Sequence, residues 1–95
     1  MSAFLPAQAQ VDAPLGEKLA RDVCAECHAV EAGVLHSPNS DAIAFQALAD
    51  TPGINTMAIK VWLRSPHRTM PLLVLSGAEI DEVSAYIMRL KPLSP

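Results

Sequence analysis

Apolar residues recur at helical spacing in four stretches of the chain, and turn-forming residues separate these stretches. The first stretch follows Asp12, a residue well suited to cap a helix at its N-terminus. Leu15, Leu19 and Val23 then recur every four residues and predict one apolar helix face. This helix runs directly into a segment that contains both cysteines of the chain.

Two shorter helices are predicted in the middle of the chain. Residues 40–49 favour the first, with Ser40 as its cap, because its interior lacks Gly and Pro. The second starts after Asn55 or Thr56 and ends before Pro66, which pushes the preceding residue out of helical geometry. Its apolar side carries Ile59, Trp62 and Leu63.

The last helix has the clearest sequence signature. Ser76 and Glu79 form a capping box, in which each side chain bonds to the other's backbone N–H. Pro92 ends the pattern. Sustained apolar–polar alternation is missing throughout, so the predicted fold class is all-α. The apolar stripe of this helix comprises Ile80, Val83, Ile87 and Leu90.

Length and composition predict one small domain. The chain has 95 residues, of which we assign 12–95 to the domain and 1–11 to a flexible N-terminal tail. A chain this short buries only about 60 to 65% of its unfolded surface. It has only four aromatic residues (two Phe, one Trp and one Tyr). A bound group that completes the core would fit this composition.

The N-terminal segment lacks the basic region and apolar core of an intact signal peptide. Ala7-Gln8-Ala9 nevertheless has the small-x-small pattern of a cleavage site. We therefore hypothesise an exported, periplasmic protein whose leader is truncated in this chain. No apolar run reaches the roughly 18 residues that span a bilayer, and basic stripes typical of nucleic-acid binding are missing.

Candidate chemistry centres on Cys24-Ala25-Glu26-Cys27-His28. A disulfide here would close a small loop and add little stability. A thioredoxin-like redox motif would require neighbouring strands. A structural zinc site would need a fourth ligand from His36 or His67. The fourth interpretation, covalent attachment of a c-type haem, fits the spacing best.

In the haem interpretation, Cys24 and Cys27 form thioethers with the porphyrin and His28 ligates the iron. A second axial ligand would strengthen this hypothesis. Met70 is the best candidate, because it lies in a predicted loop and is followed by Pro71. A methionine sulfur is a soft ligand known for haem iron. His67 and then His36 are the alternatives.

These motifs together resemble the class I cytochromes c of the short bacterial type, over residues 12 to 91. The resemblance implies a cytochrome c fold, in which the terminal helices cross and shorter helices and loops surround one haem. It also implies that Gly16 allows close approach to Tyr86 and Ile87. The matching pieces, in order, are Gly16-Glu17-Lys18-Leu19-Ala20, the cysteine motif, Trp62-Leu63-Arg64-Ser65-Pro66-His67-Arg68-Thr69-Met70-Pro71 and residues 76–90.

The resemblance further implies residues that line the haem pocket. The Pro38 carbonyl is expected to accept a hydrogen bond from the imidazole of His28. Trp62, Leu63 and Leu72 are expected to pack beside the porphyrin. For each, the alternative is an ordinary loop or core residue.

With His28 and Met70 both bound, the iron would have no vacant position for substrate. We therefore predict a soluble, monomeric one-electron carrier rather than an enzyme. The alternative is a haem-based sensor, or a haem subunit of a larger redox enzyme, in which Met70 is displaceable. A third alternative is a helical interaction module without haem.

Charge distribution suggests the kind of partner. The net charge is −3, yet residues 51–78 contain no carboxylate. The same window carries Lys60, Arg64 and Arg68. We expect redox partners to present an acidic patch to these three cations.

Overall fold

The computed structural model describes residues 13–65 and 75–91, and every regular element in these two ranges is helical. The all-α prediction is therefore confirmed for them. None of these helices combines the length and apolarity needed to cross a membrane. Asp12, Pro92 and the predicted tail 1–11 lie outside the described residues. In chain order the elements are α1 (Ala13–Val23), a 3₁₀ turn (Cys24–Glu26), α2 (Phe45–Ala49), α3 (Thr56–Arg64) and α4 (Gly77–Arg89).

Helices α1 and α4 pack against each other with their backbones in contact at Gly16. A methyl group on Gly16 would collide with the carbonyl of Glu82 and lie 3.0 Å from the Val83 nitrogen. This contact offsets the cost of about 1 kcal/mol that glycine carries inside a helix relative to alanine. The predicted close approach to α4 is confirmed, and the nearest atoms belong to Glu82 and Val83.

The buried face of α1 differs from the predicted one. Gly16 and Ala20 are buried, whereas Leu15 is 49% exposed and Val23 is 38% exposed. Leu19 is partly buried and packs against the core. Because the two helix backbones approach so closely at Gly16, small residues occupy the interface and the larger apolar residues lie beside it.

Helix α4 forms as its sequence predicts. The Ser76 hydroxyl accepts a hydrogen bond from the Glu79 N–H at 3.0 Å, and the Ser76 N–H donates to the Glu79 carboxylate at 2.8 Å. The capping box is therefore confirmed. The predicted stripe is buried at Ile80, Val83 and Ile87, and Leu90 packs partly buried at the helix end.

Helix α3 also has its predicted bounds. The Asn55 side chain caps it by accepting a hydrogen bond from the Ala58 N–H at 2.8 Å. Ser65 is extended (φ −100°, ψ 138°), as expected for the residue before Pro66. Ile59 is 1% exposed and anchors the helix in the core.

Helix α2 is shorter than predicted. It contains five residues, and the prediction of a helix over 40–49 capped by Ser40 is wrong. The Asn39 side chain accepts a hydrogen bond from the Asp41 N–H at 2.9 Å and so forms a local turn. Ala44 is then extended (φ −68°, ψ 141°) and serves as the N-cap. Local side-chain bonding thus replaces the first helical turn.

Helix α4 is also tied to the first half of the chain. The Tyr86 hydroxyl is buried and donates a hydrogen bond to the Val30 carbonyl at 2.6 Å. Arg89 forms an ion pair with Glu17 of α1 at 3.1 Å. The last helix therefore contacts both α1 and the loop that follows the cysteine motif.

Candidate functional site

The cysteine motif forms a tight turn directly after α1. The N–H groups of Cys27 and His28 both donate to the Cys24 carbonyl, at 3.2 and 2.9 Å. Both cysteines are free thiols. Residues 24 to 28 are therefore held within one turn, so two thiols and an imidazole lie close together along the chain.

The two thiols have different environments. Cys24 belongs to the buried core cluster, whereas Cys27 is half-buried. Burial raises the pKa of the Cys24 thiol to about 11. A redox-active cysteine requires a low-pKa thiolate, so this environment disfavours a thioredoxin-like role for Cys24.

The imidazole of His28 is fixed in orientation by a backbone carbonyl. Its Nδ1–H donates to the Ile43 carbonyl at 2.6 Å, and its ring lies 5.4 Å from the ring of Phe45. Because the proton is on Nδ1, the lone pair of Nε2 remains available to a metal. Hydrogen bonds of this kind also increase the basicity of a ligating histidine.

The prediction that Pro38 supplies this carbonyl is wrong. The segment after Pro38 makes a turn instead of starting a helix, and this turn brings the Ile43 carbonyl to His28. The Asn39 N–H donates to the Cys27 carbonyl at 3.1 Å, which holds the turn against the motif. Pro38 itself is exposed, as expected for an ordinary loop proline.

The other predicted pocket residues have mixed outcomes. Leu63 is partly buried and packs against the core, whereas Trp62 is 45% exposed on α3. His36 is exposed. Met70 and Leu72 lie outside the described residues, as does His67. The predicted roles of Met70, Leu72 and His67 stay predictions.

Sequence reasoning missed two groups beside the motif. The first is the Ile43 carbonyl, which has no sequence signature because every residue carries a carbonyl. The second is the side chain of Gln46, which bonds to Gly33 and Leu90. A polar residue in a short helix gives no signal of such distant partners.

The donor set of the cysteine motif fits a covalently attached haem. Within residues 13–65 and 75–91, no cluster of three or more His, Cys, Asp or Glu side chains is arranged to hold a metal ion. Two thiols on one turn, followed by an imidazole with its Nε2 free, are the groups that c-type haem attachment uses. Cys24, Cys27 and His28 would hold that group.

Comparison with known proteins agrees with this chemistry. No protein-family model matches the chain, and no solved structure matches it. The chain is 35% identical over 81 residues to the curated protein cytochrome c-552 of Bradyrhizobium diazoefficiens. The matched region covers 85% of this chain and 77% of that protein. The similarity thus extends over most of both chains.

Proposed function

The chain belongs to the class I monohaem cytochromes c, and from this premise we propose that it carries one electron at a time between larger redox proteins. Its all-α architecture, with α1 packed on α4, is the fold of that family. An electron carrier, rather than an enzyme, is what this membership indicates. The proposal adds covalent attachment through Cys24 and Cys27 and iron ligation by His28 and Met70.

One observation carries the proposal most directly: the hydrogen bond from His28 Nδ1 to the Ile43 carbonyl. This bond selects the tautomer that leaves Nε2 free for iron and prevents the ring from rotating. When bound, the haem supplies an iron that changes its oxidation state by one electron. A fixed imidazole keeps the geometry of the site similar in both states.

Met70 is proposed as the second residue that would hold the haem iron, through its thioether sulfur. If His28 and Met70 both hold the iron, no position on it would be left for substrate. A His/Met ligand pair also raises the reduction potential of a c-type haem. Both features suit an electron carrier.

The experiment is to express the chain together with haem-attachment machinery and extract it with acidified acetone. Pigment should stay with the polypeptide, and pigment lost to the solvent would contradict covalent attachment. Met70→Ala should abolish the weak long-wavelength absorption of a Met–iron bond and allow carbon monoxide to bind. Met57→Ala is the matched control, because Met57 is 69% exposed on α3. Carbon monoxide binding to the unmodified protein would favour the sensor instead.

The proposed docking surface centres on the cations of residues 51–78. Lys60 is engaged in an ion pair with Asp81 at 2.7 Å, so its charge is partly balanced within the chain. Arg64 is exposed at the end of α3, and Arg68 lies outside the described residues. We therefore assign most of the recognition of an acidic partner to Arg64 and Arg68.

Small charged oxidants test this assignment without a natural partner. Arg64→Gln should slow oxidation by anionic ferricyanide, and added salt should reduce the difference between the variant and the unmodified protein. Lys60→Gln should have the smaller effect. Equal effects of the two substitutions, or equal slowing with the cationic oxidant tris(phenanthroline)cobalt(III), would contradict the assignment.

We further propose that the protein is a monomer and that it is exported to the periplasm. The small-x-small pattern at Ala7-Gln8-Ala9 supports the export. Cell fractionation with mass spectrometry of the native chain tests the location. A mature chain that begins at Met1 would contradict export. Size-exclusion chromatography tests the monomeric state.

A further inference from the structure

Gln46 makes hydrogen bonds with three separate parts of the chain. Its side-chain carbonyl accepts from the Gly33 N–H at 2.9 Å. Its side-chain NH₂ group donates to the Leu90 carbonyl at 2.9 Å and to the Asp50 carboxylate at 3.0 Å. Both ends of the amide are therefore bonded within the chain.

Two of these partners lie at the end of a helix and in a turn. Leu90 is the C-cap of α4, and the last carbonyls of a helix have no partner within it. Gly33 has φ of +77°, so its N–H belongs to a turn that few other residues adopt. Gln46 thus connects the end of α4 to the loop that follows the cysteine motif.

The segment that contains Gln46 also carries the carbonyl that orients His28. Ile43 accepts from His28 Nδ1 at 2.6 Å, and the Phe45 N–H donates to the Ala29 carbonyl at 2.8 Å. Segments 28–33 and 43–46 are therefore joined at three points along their length. The Gln46 bond to Gly33 is the one farthest from the imidazole.

We propose that Gln46 is a positioning residue for the iron-ligating imidazole, acting through the Ile43 carbonyl. This inference rests on the proposed function, in which His28 binds iron. Without the amide, one end of the paired segments opens and the Gly33 N–H and Leu90 carbonyl lose their partner. The Ile43 carbonyl then moves more freely relative to His28, and the hydrogen bond to Nδ1 is broken more often.

A merely structural role would have a different signature, and Tyr86 provides the matched control. Its hydroxyl also joins α4 to the same loop, through the Val30 carbonyl at 2.6 Å. Among the described residues, however, this hydroxyl bonds to Val30 and not to any atom of segment 43–46. Tyr86→Phe should therefore destabilise the fold without changing the hydrogen bond of His28.

The experiment compares Gln46→Met and Tyr86→Phe in the haem-loaded protein. Methionine has nearly the same length and helix propensity as glutamine but lacks its donors and acceptor. In the reduced protein, NMR measures how fast the His28 Nδ1 proton exchanges with solvent. Gln46→Met should accelerate this exchange about tenfold, because the segment loses the exposed bond to Gly33 and the part-buried bond to Leu90 and opens more often. Tyr86→Phe should leave it within about twofold of the unmodified rate.

The reduction potential gives an independent measurement. A weaker bond at Nδ1 makes the imidazole a weaker donor to oxidised iron, so Gln46→Met should raise the potential. Tyr86→Phe should leave it unchanged. If both substitutions lower stability but neither changes exchange or potential, Gln46 has only a structural role and the inference is overturned.

A second variant guards against failure of Gln46→Met to fold. Gln46→Ala introduces the residue with the highest helix propensity and also removes the amide, so its exchange rate should match that of Gln46→Met. The unmodified protein separates this inference from the proposed function. If its spectrum shows no histidine–iron bond, the proposed function fails, whereas normal ligation with unaffected variants rejects only the role of Gln46.

Discussion

Replacing Gly16 with alanine tests the packing of the terminal helices. The added methyl group would collide with the Glu82 carbonyl and lie 3.0 Å from the Val83 nitrogen. Both are backbone atoms of α4, so no side-chain rotation relieves the collision. The two helices must move apart instead.

The cost follows from what the helices bury. Ala20 and Val83 are each 0% exposed and Tyr86 is 3% exposed, so even a small gap between α1 and α4 removes contacts from well-packed side chains. Overpacking of this kind costs about 1–3 kcal/mol and occasionally more, and backbone collision places Gly16 at the upper end. Alanine recovers about 1 kcal/mol of helix propensity. We expect a net loss of about 2–3 kcal/mol in the free energy of unfolding.

Denaturant titration of the haem-loaded protein, followed by far-UV circular dichroism, measures this loss. In thermal unfolding it should appear as a decrease in Tm of roughly 10 to 20 °C for a domain of this size. Gly77→Ala is the matched control, because a methyl group there meets no atom within 4 Å. Stability of Gly16→Ala equal to that of Gly77→Ala would refute the backbone contact. Altering the side chain of Glu82 should not rescue the variant.

Three further predictions concern buried and paired groups. The Ser84 hydroxyl is 0% exposed and has no hydrogen-bond partner among the described residues. Ser84→Ala should therefore raise the free energy of unfolding by about 1 kcal/mol, and a loss in denaturant titration would contradict this. Burial raises the pKa of the Tyr86 phenol above its usual 10.0, so the unfolded chain releases this proton first. The protonated phenol contributes its full stabilisation below pH 10.0, and this is lost as the pH rises through the higher pKa of the folded state. Tyr86→Phe should remove this change from a plot of the free energy of unfolding against pH. Lys60 and Asp81 form a partly exposed ion pair, and a double-mutant cycle with Lys60→Gln and Asp81→Asn should give a coupling below about 1 kcal/mol that decreases in salt.

Helices with local signals could be predicted from the sequence. The capping box at Ser76 and the cap at Asn55 each act within three residues, so their chemistry is visible in a short stretch. The helical turn predicted at Ser40 does not form. The Asn39 side chain accepts a hydrogen bond from the backbone there, and the Ile43 carbonyl accepts one from His28, 15 residues earlier in the chain. A long-range bond of that kind has no local pattern.

The residues of the candidate site also differ in whether the sequence could predict them. Cys24, Cys27 and His28 could be identified from the sequence, because two thiols and an imidazole at this spacing have few other known roles. The carbonyl that orients the imidazole could not be assigned, since only the path of the chain decides which of many carbonyls reaches it. Periodicity also misplaced the buried face of α1, because the contact at Gly16 depends on the backbone of α4.

Helix α4 lies farthest along the chain from the motif, yet it contacts the loop after His28 at two places. The Tyr86 hydroxyl bonds to Val30, and Gln46 connects the Leu90 carbonyl to Gly33. Substitutions should therefore separate by what they disturb. Gly16→Ala displaces α4 from α1 and should lower stability most. Gln46→Met should accelerate exchange of the His28 Nδ1 proton with a smaller loss of stability. On our proposal, the orientation of the His28 imidazole depends on the Gln46 amide and not on the total stability of the fold.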